Sequence, residues 1–313
     1  MDIAVFTIAL LVLFYSGGVM VRSLTWLGRY FEMSEYALSL VLVAFATSLP
    51  ELFVGVSSAI TGTQDLSLGD LIGANVLNVT LVMGVAMLFA GKHLVFERGE
   101  SSRKDIYVTT ALLALPALLI ADGTLSRPDG LVLLLAFAAY VFDVLKEERV
   151  SPPVDDTEAN IFTFRRFLDQ VGLFIFAALL LVGSAHILVS TAQSVALSYG
   201  IGLFSLGILV AVGTTLPEVV FSARSVFLGH SSMSLGNALG SVVFNITFIL
   251  GLVAFMSPFT IADPLSVIGV VLLPILFIML LQAIGILRGH FSRALGIILI
   301  FVSAVFIITE GGF

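Results

Sequence analysis

The sequence predicts an all-α integral membrane protein: ten transmembrane helices in two inverted five-helix repeats. Three observations carry that prediction. Of the 313 residues, 59% are hydrophobic and only 11% are charged, where a soluble domain carries about 25% charged and roughly 45–50% apolar residues. The mean hydropathy is +1.14, and the apolar residues gather in ten runs of about the length that crosses a hydrocarbon core, roughly 20 residues. Finally, the two halves of the chain share polar residues in register.

The runs lie at 3–29, 35–61, 66–90, 105–121, 129–146, 165–197, 202–228, 233–256, 263–286 and 291–309. The first begins just after Asp2, with no basic segment or cleavage site before it, so it reads as a membrane helix and not as a removable signal. The second holds Thr47-Ser48-Leu49-Pro50-Glu51. The third holds Gly73-Ala74-Asn75-Val76-Leu77-Asn78, with Asp70 near its start and so placed near the outer surface. The fourth follows the polar stretch Lys92–Lys104, and its Pro116 has no counterpart in the other half, which suggests a simple kink. After the fifth comes a loop, Lys146–Arg166, with Pro152, Pro153, Asp155, Asp156 and Glu158. It divides the chain into a first repeat at 1–150, a cytoplasmic linker at 151–164 and a second repeat at 165–313. His186, in the sixth run, reads as a packing residue. The seventh holds Thr214-Thr215-Leu216-Pro217-Glu218 and then Arg224, placed at the cytoplasmic end of its helix. The eighth holds Gly240-Ser241-Val242-Val243-Phe244-Asn245. Pro274 in the ninth is another unmatched kink.

Basic residues set the orientation. If the connections alternate between two faces, one face receives Arg22, Arg29, Lys92, Arg98, Arg103, Lys104, Lys146, Arg149, Arg165, Arg166, Arg288 and Arg293, and the other only Arg127. Cytoplasmic loops carry the Lys/Arg excess, so both termini are expected outside the cell membrane.

The repeat is visible at a constant offset of 167 residues. Thr47, Pro50, Glu51, Gly69, Gly73, Asn78 and Gly84 match Thr214, Pro217, Glu218, Gly236, Gly240, Asn245 and Gly251. Unrelated apolar helices would share Leu, Val and Ala, not Pro, Glu and Asn in register. An odd number of helices per half makes the second copy enter the membrane from the opposite side. Such inverted repeats are a common transporter architecture, with the substrate near the midplane where they meet.

Glu51 and Glu218 are the acids placed deep within apolar runs. A charge at the bilayer centre costs about 2.5–3.5 kcal/mol on insertion scales, so cations, protons or a basic partner must compensate. Arg224 lies six residues beyond Glu218, a rotation of roughly 240°, and cannot share its helix face. Bound cations are the better explanation. Proline lacks an N–H and clashes with the carbonyl four residues back, so Pro50 and Pro217 loosen the backbone around Thr47 and Thr214. Thr47 and Glu51 share a helical face, as do Thr214 and Glu218. Carboxylates and freed carbonyls are the oxygen ligands that calcium takes, and Asn78 and Asn245 can line the centre with neutral amide oxygens.

These stretches resemble the two α-repeats of the cation/calcium antiporter superfamily, most closely its sodium/calcium exchanger branch. The resemblance rests on 46–51 with Gly69-Asp70-Leu71-Ile72-Gly73, and on 213–218 with Gly236-Asn237-Ala238-Leu239-Gly240-Ser241. It implies a secondary antiporter exchanging Ca2+ for Na+ by alternating access, with the first and sixth helices sliding against the rest. It implies calcium ligation by Glu51, Glu218 and the carbonyls of Thr47 and Thr214. Sodium would use the same groups with Ser48, Thr215, Ser241 and the carbonyls of Ala44 and Ala211. Ala74 stands where the family often has serine, which questions a three-sodium stoichiometry. Asn245 stands where some members have an acid, leaving two carboxylates and disfavouring potassium cotransport. Asp70 replaces a more usual asparagine.

A proton/calcium antiporter on the same scaffold is the nearest alternative, because a proton neutralises a buried carboxylate as a cation does. A cation channel fits less well with a closed midplane site. With no cysteine there is no thiol chemistry, and no nucleophile elbow or His-rich motif points to an enzyme. The sequence calls for no cofactor. Its expected partners are Ca2+, Na+ and the lipid bilayer, with no nucleic acid and no obligate protein partner.

Overall fold

The computed structural model describes residues 3–31, 33–90, 100–148, 164–198 and 202–311. The fold is almost wholly helical. In chain order the helices are α1 (Ile3–Phe31), α2 (Tyr36–Thr47), α3 (Leu49–Thr61), α4 (Gln64–Ala90), α5 (Glu100–Leu119), α6 (Arg127–Glu148), α7 (Phe164–Ser198), α8 (Leu203–Thr214), α9 (Leu216–Phe227), α10 (Ser231–Met256), α11 (Pro264–Arg288) and α12 (Arg293–Glu310). Among the described residues, six spans are long and apolar enough to cross a membrane. They are α4, α6, the α8–α9 run, α10, α11 and α12. The pair α2 and α3 adds a seventh, bent by 47° at its break. His186 and much of the basic-loop pattern lie outside the described side chains.

The breaks follow from the prolines. In α2–α3 the irregular residue is Ser48, at φ −86° and ψ 15°, two positions before Pro50. In α8–α9 it is Thr215, again two positions before its proline. Pro50 and Pro217 occupy the first turn of the following helix, where a missing N–H costs least. The carbonyls of Ala46 and Gly213, four residues back, therefore lose the donors a continuous helix would supply.

A second irregularity was not expected. The backbone widens to π turns at Asn78–Val82 and Phe244–Ile249, at corresponding places in α4 and α10. Each holds an Asn-x-Thr triplet whose threonine hydroxyl bonds back along the helix: Thr80 to the Val76 carbonyl (2.6 Å) and Thr247 to the Val243 carbonyl (2.5 Å). Such back-bonding competes with the regular ladder and bends helices.

Glycines bring the halves together. A Cβ added to Gly69 would stand 2.1 Å from the Phe204 carbonyl oxygen, and one on Gly207 would stand 2.3 Å from that of Leu66. So α4 and α8 touch backbone to backbone. The same holds for α10 and α2, where Gly236 meets the Tyr36 carbonyl and Gly240 the Leu40 carbonyl. These two contacts exchange under the 167-residue offset: α4 of the first half lies on α8 of the second, and α10 of the second on α2 of the first.

The ends of the bundle are tied separately. The ribbon β1 (Thr124–Leu125) pairs antiparallel with β2 (Phe259–Thr260), and Gln64 Nε2 donates to Ser257 Oγ at 2.5 Å. An open cavity of about 590 Å3 lies among these turns, beside Asp65, Ser126, Leu203 and Phe259. Asp263 caps α11 by accepting from the Ser266 N–H, and that bond with the Ser266 hydroxyl holds its carboxyl below the usual range. Elsewhere, Tyr30 stacks between Trp26 and Phe167, with ring centroids 5.4 and 4.8 Å away, joining α1 to the start of α7. Side chains such as Phe53, Ile60, Leu118, Phe142, Leu265 and Leu287 stand exposed around the bundle. In water such a surface would be a liability; hydrocarbon solvates it.

Candidate ion-binding site

The proline breaks and the π turns meet inside the bundle. Glu51 and Glu218 sit in the first turns of α3 and α9, just past the breaks, and both are 0% exposed. Thr47, Thr214, Ser48, Thr215, Ala44, Ala211, Ser241, Asn78 and Asn245 are all buried with them.

The Glu218 carboxylate is the better supported. Its Oε1 accepts from Ser48 Oγ (3.0 Å) and from Ser241 Oγ (3.3 Å), so one donor comes from the other half of the chain. Its Oε2 has no partner, and neither Glu51 oxygen has one. The difference follows from sequence. The mate of Ser241 is Ala74, which has no hydroxyl, and the mate of Ser48 is Thr215, whose Oγ1 is unpartnered. A buried carboxylate oxygen without a donor carries a desolvation cost of several kcal/mol.

The threonines are held in a reciprocal pair of contacts. Thr47 Oγ1 donates toward Asn237 Oδ1 (3.1 Å) and the Val43 carbonyl (3.0 Å), and Thr214 Oγ1 donates to Asp70 Oδ1 (3.0 Å). Asn237 is the 167-residue mate of Asp70. The Ala44 and Ala211 carbonyls accept the backbone N–H groups of Ser48 and Thr215, both at 3.0 Å, and the Thr214 hydroxyl also lies 3.4 Å from the Ala211 carbonyl. In the centre, Asn245 Nδ2 donates to Asn75 Oδ1 at 3.3 Å, while the Asn78 amide has no partner at either end.

Asp70 corrects the sequence reading. It is 0% exposed, bonded to Thr214, and within electrostatic reach of Glu51 and Glu218. The site therefore has a third carboxylate nearby, where the sequence reading counted two. Position along α4 alone did not show this neighbourhood, because burial here comes from α8, which lies directly on Gly69. Asn75 and Asn237 were likewise not recognised as part of the polar centre. The available signal was spacing: Asn75 lies three residues before Asn78, and Asn237 is the repeat mate of Asp70.

Arg224 does not approach the carboxylates. Its guanidinium packs against α1, where a Cβ on Gly18 would stand 2.5 Å from Nη2. Among the described residues no three His, Asp or Glu side chains converge closely enough to chelate one ion. Any ion here must complete its shell with hydroxyl, amide and carbonyl oxygens, which these breaks supply.

A family model described as sodium/calcium exchanger protein matches residues 1–146 and 170–310. The chain belongs to that family. It is 26% identical over 270 residues to the inner membrane protein YrbG of Escherichia coli K12, covering 84% of this chain and 82% of that protein. It is 24% identical over 288 residues to the sodium/calcium exchanger MaX1 of Methanosarcina acetivorans, covering 78% and 79%. A solved structure of the sodium-calcium exchanger NCX_Mj, soaked with Na+ and Sr2+, superposes with a TM-score of 0.80 at 24% identity over 99% of both chains. That last likeness concerns the fold. With its relatives named as membrane proteins and its apolar spans, this family member is a multi-pass membrane protein.

Proposed function

We propose that this chain is a secondary antiporter that exchanges Ca2+ for Na+ across the cell membrane by alternating access. The carrying observation is that Glu51 and Glu218 are fully buried beside two proline-broken helices, with three of their four oxygens unpartnered. Calcium sits between them, completed by the Thr47 and Thr214 carbonyls. Sodium ions displace it, using the same glutamates with Ser48, Ser241, Thr215 and the Ala44 and Ala211 carbonyls. Asn78 and Asn245 line the centre. Because both loads neutralise the same carboxylates, they compete. Each load permits the switch between inward and outward access; the empty charged site resists it.

The architecture that serves this is ten spans in two inverted repeats, 1–150 and 165–313, joined by a cytoplasmic linker at 151–164 with both termini outside. The reciprocal contacts of α4 with α8 and of α10 with α2 support a two-fold relation between the halves. The extensive packing of α1 on α7 suits a pair that slides as one unit.

The test is calcium uptake into proteoliposomes, driven in separate arms by a sodium gradient and a proton gradient. Uptake is expected in the sodium arm. Uptake in the proton arm alone would replace sodium by protons as the driving ion. Calcium flux needing no counter-ion would mean a channel.

One variant probes the hydroxyl cage. Ser48→Ala removes a hydrogen bond to a carboxylate, an interaction of roughly 1.5–3 kcal/mol. Sodium for half-maximal exchange should rise by about tenfold, read from calcium uptake at graded sodium; an unchanged value would remove Ser48 from the site.

A further inference from the structure

The two halves of the site are chemically unequal, and two positions on α4 make them so. Under the repeat offset, Asp70 stands where the other half has Asn237, and Ala74 where it has Ser241. Asn237 has a partner for each polar atom. Its Oδ1 faces Thr47, and its Nδ2 donates to Ser222 Oγ (3.3 Å) and toward the Glu218 carbonyl (3.5 Å). Asp70 takes the matching bond from Thr214, but its Oδ2 is buried without a partner. Gly55 replaces the Ser222 counterpart and offers no hydroxyl.

The unpartnered oxygens therefore collect on one side. Among the carboxylate and hydroxyl oxygens of the site they are both carboxylate oxygens of Glu51, Asp70 Oδ2 and Thr215 Oγ1, against Glu218 Oε2 alone on the Glu218 side; the central Asn78 and Asn245 each also have an unpartnered Oδ1. The Thr214 hydroxyl donates to Asp70 and lies beside Glu51, so the two carboxylates flank it. Positions 70 and 74 are four apart and share a helix face.

We propose that Asp70 is a sodium ligand, holding the ion together with Glu51 where Ala74 has removed a hydroxyl. A carboxylate one turn earlier on α4 replaces the serine oxygen one turn later. Glu51 is shared with the calcium position in the antiport reading, so the ion added beside Asp70 belongs to the sodium load; a second calcium would need about 6–8 oxygens of its own, and no cluster of three or more acids exists among the described residues. The assignment rests on the antiport reading for the identity of the ion and adds a ligand to it.

The test counts ions directly, by equilibrium binding of radioactive 22Na+ to the purified full chain. Asp70→Asn is expected to bind one sodium fewer per chain, or to bind its weakest sodium at least tenfold more weakly. Adding Ala74→Ser in that background should restore the count, since the pair then reproduces the Asn237 and Ser241 arrangement already present in the other half. Unaltered binding in Asp70→Asn overturns the assignment. So does a loss that Ala74→Ser fails to restore, which would mark Asp70 as structural. Calcium uptake by the unmodified protein separates the two readings: sodium binding that depends on Asp70, with no sodium-driven uptake, would sink the antiporter and leave the subsite standing.

Discussion

Glu51→Gln and Glu218→Gln are each expected to abolish calcium exchange, with sodium-driven uptake falling at least 100-fold, while the protein still folds. Glutamine keeps the size of glutamate and removes the charge. Calcium bound between two carboxylates loses half of its formal compensation, and in a low-dielectric site a lost unit of attraction amounts to several kcal/mol. Stability should move the other way. In ion-free buffer the wild-type site holds charges that face no cation, so neutralising one relieves a desolvation cost. Melting temperature in ion-free buffer should therefore hold or rise. The rise should be larger for Glu51→Gln, because Glu51 has no hydrogen-bond partner whereas Glu218 Oε1 takes the Ser48 and Ser241 hydroxyls. Radioactive calcium uptake and thermal melts of the same preparations check both halves. Near-normal uptake in either variant would refute the site.

How much of this was readable beforehand depended on what the sequence could encode locally. The Thr–Pro–Glu pairs were legible because a charge and a proline inside an apolar run are anomalies whatever surrounds them, and their duplication removed coincidence. Helix placement was legible for the same reason, since hydropathy reflects the solvent rather than the neighbours. The role of Asp70 was hidden because it depends on a neighbour: α8 covers α4 at Gly69, and only the pairing of Thr214 with Asp70 shows that the acid joins the centre. The π turns were hidden because Asn-x-Thr is common and has no single backbone consequence. The asymmetry between Ala74 and Ser241 was visible as a substitution, but its effect on Glu51 required seeing which carboxylate Ser241 serves.

Gly69→Ala and Gly240→Ala should be among the most damaging single-methyl changes in the protein. A new Cβ would stand 2.1 Å from the Phe204 carbonyl oxygen in the first case and 2.1 Å from the Leu40 carbonyl oxygen in the second. Both obstacles are backbone, so no side chain can rotate away and the helices must part. Overpacking of a core typically costs about 1–3 kcal/mol, and a forced separation of two helices belongs at or above the top of that range. The damage should reach function as well. α8 ends at Thr214 and α2 at Thr47, so moving either helix displaces a threonine from beside its glutamate. Gly172→Ala provides the control. Gly172 lies in α7 with nothing within 4 Å of an added Cβ, and alanine there gains roughly 0.5–1 kcal/mol of helix preference. Thermal melts should thus show Gly172→Ala unchanged or more stable and the other two markedly less stable, with calcium uptake lost in step. Equal stability in all three would mean that the helices can separate without cost, and the close backbone contact would then not be what holds the two halves in register.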